Sequence, residues 1–325
     1  MQVLAQNVAV AIMADRAYPY INDKTKDRID RKEIIDLIKD CSALFLYKLN
    51  GVVLKATDNI VLSVFVGLEA VGLYSNYYVF YTAINSVMNK IFGSVSHSLG
   101  NLHTTHDYKR EYKVFETVNL VTAILGGTAF AGIFCVSNEF VNVWVGNEWI
   151  IPQPFSVLMG FEVYTLASRI SLSRYRNTMG LFQQAKFRPL AGMIINLIVS
   201  IALVNKWGIC GILVGTLTAD WTTFMWFDPL IIHKYGFENY KSVFYYYQRL
   251  LYYTLIVFAA CGLDYLICMH VFTGHGWFSV IVHAIICGIS VPLTLILLNL
   301  HRQEGKYILS LLQNYTDKIS KKVIR

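Results

Sequence analysis

Lys55 and Asp58 stand three residues apart inside GVVLKATDNIVLSVFVG (51–67), a run otherwise built mainly of apolar and small residues. At mid-bilayer each such charge costs roughly 2.5–3.5 kcal/mol even on the lenient insertion scales. A span that keeps two of them has a use for them. Lys48 lies seven residues before Lys55, on the same helical face and roughly 10 Å away along the axis. Asn59 sits beside Asp58, and Asn50, Gly51 and Thr57 add small or polar character. One face of this segment therefore meets other helices or water rather than lipid. A local reading stands beside that one. Thr57-Asp58-Asn59 is also turn-forming, so Asp58 caps or kinks the span, and discontinuous helices near the midplane are typical of transporters.

A second polar stripe follows. Tyr74, Tyr78, Tyr81, Asn85 and Asn89 are spaced by four, three, four and four residues, so they share one face of a helix. Tyrosines near Tyr74 also fit an interfacial belt. Asn85 and Asn89 do not, because amides facing lipid are costly. The other intramembrane charges are Glu162, Arg169, Asp220 and Asp264. Arg169 has a stem long enough to snorkel to the inner interface. Asp220 and Asp228 are eight residues apart, roughly on one face. Each acid has a bland reading as a satisfied interhelical hydrogen-bond partner. Asp58, Glu162 and Asp220 are the candidates for ion coupling.

The motifs of catalysis are missing. No Ser-His-Asp order, HExxH or phosphate loop is present, so no catalytic residue is expected. Six cysteines (Cys41, Cys135, Cys210, Cys261, Cys268 and Cys287) are scattered mostly in apolar runs without a CxxC. That pattern indicates neither a zinc site nor a disulfide framework, and reads as small buried hydrophobes. The eight histidines show no metal-ligand spacing; no metal or cofactor is expected. The longest outer loop, SNEFVNVWVGNEWII (137–151), offers only Glu139 and Glu148. A membrane glycosyltransferase or polymerase usually needs more acidic groups there.

The elements that must position these residues are apolar spans. The chain has 325 residues, 55% hydrophobic and 15% charged, with a mean hydropathy of +0.45. Soluble domains average about 25% charged residues, so an ordinary soluble fold is excluded. Spanning windows fall at 43–66, 71–97, 115–136, 152–173, 188–205, 208–231, 250–271 and 277–299, eight in all. The fold class expected is all-α and polytopic. If 15–42 is cytoplasmic, then so are 99–114, 169–189, 233–249 and 302–325, and these hold most of the 28 Lys and Arg. That obeys the positive-inside rule and explains the net charge of +7. Nucleic-acid binding would need a basic patch on a soluble face, and none is visible.

The organisation read from this is a partial helix at 1–14, a basic cytoplasmic segment at 15–42, a six-helix bundle at 43–231, two additional spans at 232–299, and a basic tail at 300–325. The first of these is too short to span alone, and its positive charge follows the apolar stretch, the reverse of a secretory signal. It reads as the end of a helix that begins earlier. In the tail, Tyr307, Ile308, Leu311, Leu312 and Tyr315 have amphipathic spacing, which fits a helix on the membrane surface.

A series of phrases, in order, carries a resemblance. They are YPYINDK (18–24), TDNIVLSVFVGLEAVGLYSNYYVFY (57–81), GSVSHSLGNL (93–102), FVNVWVGNEWI (140–150), RYRNTMGLF (174–182) and INLIVSIALVNKWGICGILVGTLTADW (195–221). The chain resembles the polysaccharide (O-antigen-type) flippases of the multidrug/oligosaccharidyl-lipid/polysaccharide exporter superfamily. That resemblance implies two six-helix bundles around a central cavity, sometimes with two extra C-terminal helices. This chain then corresponds to the end of span six, the second bundle and the two extra helices, with the first bundle absent. The implied activity is alternating-access transport of a polyprenyl-diphosphate-linked oligosaccharide across the cell's inner (cytoplasmic) membrane, with the C-terminus in the cytoplasm. Implied partners are the lipid-linked oligosaccharide, membrane lipids, a polysaccharide polymerase and glycosyltransferases. For such a substrate Lys48 and Lys55 fit the diphosphate, and Tyr78, Tyr81, Asn85 and Asn89 fit the sugars. Asp58 either holds Lys55 or titrates in ion coupling. The alternatives are another exporter of the superfamily, a non-functional remnant, and a membrane glycosyltransferase.

Overall fold

The computed structural model describes residues 2–17, 30–270, 276–307 and 309–310. Every regular element among them is helical. In chain order these are α1 (Gln2–Ala17), α2 (Arg31–Phe65), α3 (Leu68–His103), α4 (Tyr108–Trp144), α5 (Gln153–Thr178), α6 (Arg188–Trp207), α7 (Ile209–Ala219), α8 (Met225–Ile231), α9 (Val243–His270) and α10 (Trp277–Asn299), with two single 3₁₀ turns between them. A π-helical turn, Asp220–Phe224, joins α7 to α8, and a second, Ile232–Gly236, follows α8.

The all-α polytopic expectation holds. Each of the eight apolar windows falls on helix, the sixth on the continuous rod from α7 through the π turn to α8. Four stretches among the described residues, Tyr108–Trp144, Gln183–Trp207, Val243–His270 and Trp277–Asn299, are long and apolar enough to cross a membrane. α2 holds only a shorter apolar piece, Ala56–Phe65. α3 and α5 carry tyrosine, amide, serine and arginine faces that lower their hydropathy. α3 and α4 have 36 and 37 residues, far more than the roughly 20 needed to span. Each therefore continues beyond the hydrocarbon as helix. Asp107 starts α4 with a side-chain cap, accepting from the Arg110 amide at 3.1 Å, which satisfies one of the amides a helix start leaves unpaired.

The chain divides into two compact units, Met1–Ser42 and Ala43–Arg325. The first contains α1 and the beginning of α2, with Leu4, Val8 and Met13 exposed. The residues 18–24 of the first resembling phrase lie outside the described residues, as do Ile308, Leu311, Leu312 and Tyr315 of the tail.

In the second unit α5 is the hub. It packs against α3, α4, α7 and α8 and touches α9 through the Tyr164–Thr254 hydroxyl pair at 3.0 Å and the Phe161–Phe258 rings, while α4 packs against both α9 and α10. Burial of α5 is nearly complete, from Phe155 to Arg176. That explains its weak apolar periodicity: a helix surrounded by others has no single face to make apolar.

α6 and α7 form a tightly packed hairpin. They meet at Gly208, whose φ of 54° suits glycine. Gly211 and Gly215 then continue the small-xxx-small pattern that lets membrane helices approach. A Cβ on Gly211 would lie 2.7 Å from the Leu203 carbonyl carbon, and one on Gly215 would collide with the Ser200 hydroxyl. Overpacking of this kind costs about 1–3 kcal/mol. Gly211→Val is expected to lower the detergent-solubilised protein's melting temperature, whereas Gly262→Val, where nothing lies within 4 Å, leaves it nearly unchanged.

Candidate functional site

A cavity of about 100 Å³ opens between α2, α3, α5 and α7, lined by Gly51, Asp58, Tyr74, Tyr78, Tyr81, Met159, Glu162, Arg169, Leu213 and Thr216. A neighbouring cavity of about 260 Å³ shares Asp58, Tyr74 and Tyr78 and adds Asn59, Ser75, Val79 and Thr82. The polar stripe of α3 forms one wall. The ring of Tyr78 stacks on that of Tyr81 with centroids 5.1 Å apart, and Tyr74 follows at 5.6 Å from Tyr78. This is the four-and-three spacing of one helical face made visible.

Asp58 lies on α2 at the junction of the two cavities. It takes a hydrogen bond from Asn196 of α6, while its Oδ1 has no partner. The Asn196 amide also donates to the Thr216 hydroxyl at 2.9 Å, so α2, α6 and α7 are tied together at this point. Glu162 enters from α5, 5% exposed, with Oε2 unpartnered. Burying an unsatisfied carboxylate oxygen is expensive, and two of them against one cavity mark it as more than a packing defect.

Arg169 is seven residues along α5 from Glu162, hence on the same face. It does not simply snorkel to the interface. Its Nη1 pairs with Asp220 at 2.6 Å and its Nη2 donates to the Tyr81 hydroxyl at 3.4 Å. The cavity thus has a cation that sequence reasoning did not choose. The available signal was the i,i+7 relation to Glu162.

A second ion pair repeats the first. Arg176, seven residues after Arg169, pairs with Asp228 at 2.7 Å, and Arg188 of α6 reaches the same carboxylate at 3.1 Å. Seven residues on α5 therefore match eight on the opposing rod. The π turn Asp220–Phe224 lies between the two aspartates and absorbs the extra residue, because a π turn holds one more residue than an α turn. Asp220 and Asp228 both face α5, as their spacing indicates.

The remaining candidates scatter. Asn89 receives a hydrogen bond from Arg174 at 2.9 Å and donates to the Asn85 side chain at 2.8 Å. The two amides extend the α3 stripe beyond the lining of either cavity. Asp220 is likewise outside the lining and reaches the site through Arg169. Lys48 is exposed on α2 and away from both cavities. Lys55 belongs to α2, but its side chain lies outside the described residues.

The arrangement offers three chemistries. Stacked tyrosine rings present flat apolar faces and hydroxyls, which suits sugar rings. A guanidinium suits a phosphate oxygen pair. Two carboxylates with unpartnered oxygens, Asp58 and Glu162, suit a proton or a small cation.

Residues 1–152 match the family described as polysaccharide biosynthesis protein. That stretch includes Asp58 and the whole α3 stripe; Glu162, Arg169 and Asp220 lie beyond it. No curated protein and no solved structure matches the chain.

Proposed function

We propose that the chain serves as a flippase, moving a polyprenyl-diphosphate-linked oligosaccharide across the cell's inner membrane by alternating access during surface polysaccharide biosynthesis. The observation that carries this reading is the cavity wall in which a row of tyrosines ends at Arg169. Aromatic faces and a guanidinium side by side match a ligand that is sugar at one end and diphosphate at the other. The lipid tail stays among the apolar helices while the headgroup uses the cavity. The match to polysaccharide biosynthesis proteins over residues 1–152 points to the same process.

Roles follow from position. Tyr78 and Tyr81 hold sugar rings; Asn85 and Asn89 extend the polar path toward Arg174. Arg169 meets the diphosphate, with Lys55 as a second cation on α2. Lys48, exposed on α2, attracts the anion before it reaches the cavity. Asp58 and Glu162 take up and release the coupling ion. Asp220 tunes Arg169. The partners are the lipid-linked oligosaccharide, membrane lipids, and the polymerase and glycosyltransferases of the same pathway. The C-terminus lies in the cytoplasm.

The test is translocation of a fluorescent polyprenyl-diphosphate oligosaccharide in proteoliposomes, read by accessibility to a membrane-impermeant quencher. Translocation faster than in empty vesicles supports the reading. No acceleration, or equal acceleration of a lipid lacking sugar and diphosphate, overturns it. Removing one ring of the Tyr78–Tyr81 stack removes an interaction of about 0.5–1.5 kcal/mol. Tyr78→Ala is expected to lower the rate severalfold, up to roughly tenfold at the top of that range, while Tyr78→Phe keeps most of it.

A further inference from the structure

Outside this cavity's lining, where α4, α9 and α10 meet, three sulfurs converge. Cys135 of α4, Cys268 of α9 and Cys287 of α10 place their Sγ atoms all within 4.8 Å of one another. Cys268 and Cys287 are buried and Cys135 is half-buried. Each comes from a different helix, so no chain spacing announces the cluster; a three-helix ligand set has no signature of the CxxC kind.

A second feature adjoins it. Asp264 is one turn before Cys268 on α9 and 1% exposed. It lies within electrostatic reach of Cys135, Cys261 and Cys268. Its carboxylate accepts from the Ser290 hydroxyl at 2.5 Å, and Ser290 is three residues after Cys287 on α10. Among the described residues no basic side chain pairs with it. A carboxylate buried between apolar helices without a counter-cation is costly. Here it sits beside three soft ligands.

We propose that Cys135, Cys268 and Cys287 form a binding site for a soft monovalent ion, copper(I), beside the buried Asp264. Thiolate sulfur selects soft ions. Among the described residues the cluster has three sulfurs and no fourth ligand atom, which suits trigonal copper(I) better than zinc, which takes four ligands in structural sites. Cysteine binds the ion as thiolate, so each cysteine that ligates copper(I) gives up its proton to the medium on binding. The site clamps the α9–α10 pair to α4, and it does not depend on the transport reading.

The experiment titrates the purified full chain in detergent with copper(I) as its acetonitrile complex, without oxygen and against a chromogenic copper(I) chelator. The expected result is one copper per chain, an absorption-edge spectrum showing sulfur-only trigonal coordination, and a rise in melting temperature. Cys287→Ser is expected to weaken binding at least 100-fold, and Cys210→Ser, on α7, to leave it unchanged. Since Cys287→Ser removes a buried group, Cys135→Ser, at the half-buried position, provides the second variant. Absence of bound copper, retention of copper by both variants, or tighter binding of zinc(II) than of copper(I) overturns the proposal.

Discussion

Asp228→Ala is expected to destabilise the protein by about 3–5 kcal/mol, the range for breaking a buried ion pair by deleting one partner. Asp228 is 0% exposed and is shared by Arg176 and Arg188. Under the two guanidiniums lies the Tyr47 ring, with Arg176 4.2 Å and Arg188 5.3 Å from its centroid. The Tyr47 hydroxyl is anchored to the Ala185 carbonyl at 2.6 Å. The assembly ties α2, α5, α6 and α8 together, and it already holds two cations against one anion. Taking away the carboxylate leaves like charges close together in a site too buried for water to screen them. Much of the protein is then expected to be lost during membrane assembly, with the surviving fraction melting well below wild type.

Two further variants separate the causes. Asp228→Asn keeps the shape and some hydrogen bonding but not the charge, so its loss is expected to be smaller. Adding Arg188→Met to Asp228→Ala removes one of the stranded cations at similar volume, and part of the stability is expected to return. Such non-additivity is the mark of a shared network. If the double variant is less stable than Asp228→Ala by the full cost of Arg188→Met alone, the two groups do not interact in the way the geometry indicates. Thermal unfolding in detergent, followed by monodispersity, measures these three variants and Arg188→Met alone.

Periodicity made the helices legible, and the limits of legibility follow from the same physics. The four-and-three spacing of Tyr74, Tyr78 and Tyr81 is a property of one helix, so the wall they form could be read from the chain. Asp58 was readable because charge in an apolar run is conspicuous. Arg169 was harder. A long cation near a span end has two explanations, snorkelling and pairing, and only the position of α7 beside α5 decides between them. The π turn at Asp220–Phe224 left no mark in composition, yet it sets the register in which Asp220 and Asp228 meet two arginines seven residues apart. The cysteine cluster needed three helices to be placed before it existed as a group. Within-helix relations are written in the sequence; relations between helices are written only in how the faces meet.

The pair of Arg169 with Asp220 is partly accessible, with side chains 27% and 13% exposed, unlike the Asp228 assembly. Losing it therefore costs less stability than Asp228→Ala, while the proposed transport loses its described cavity cation. Arg169→Gln is expected to reduce translocation about 100-fold, the equivalent of roughly 2.7 kcal/mol in the barrier, which lies within the range for a hydrogen bond to a charged group. Protein level is expected to stay near wild type. Asp220→Asn acts in the opposite sense on binding. It releases the guanidinium from a competitor held at 2.6 Å, so an anionic headgroup binds more tightly and leaves more slowly. The expected signature is a lower KM together with a lower kcat, which loss of a purely structural pair would not produce. The decisive variant is the exchange, Arg169→Asp with Asp220→Arg. It restores opposite charges across the α5–α7 interface and is expected to restore stability. It also moves the cation off α5, away from Tyr81 and the cavity lining. If translocation returns along with stability, Arg169 serves only the packing of two helices; if stability returns alone, the cation belongs to the substrate.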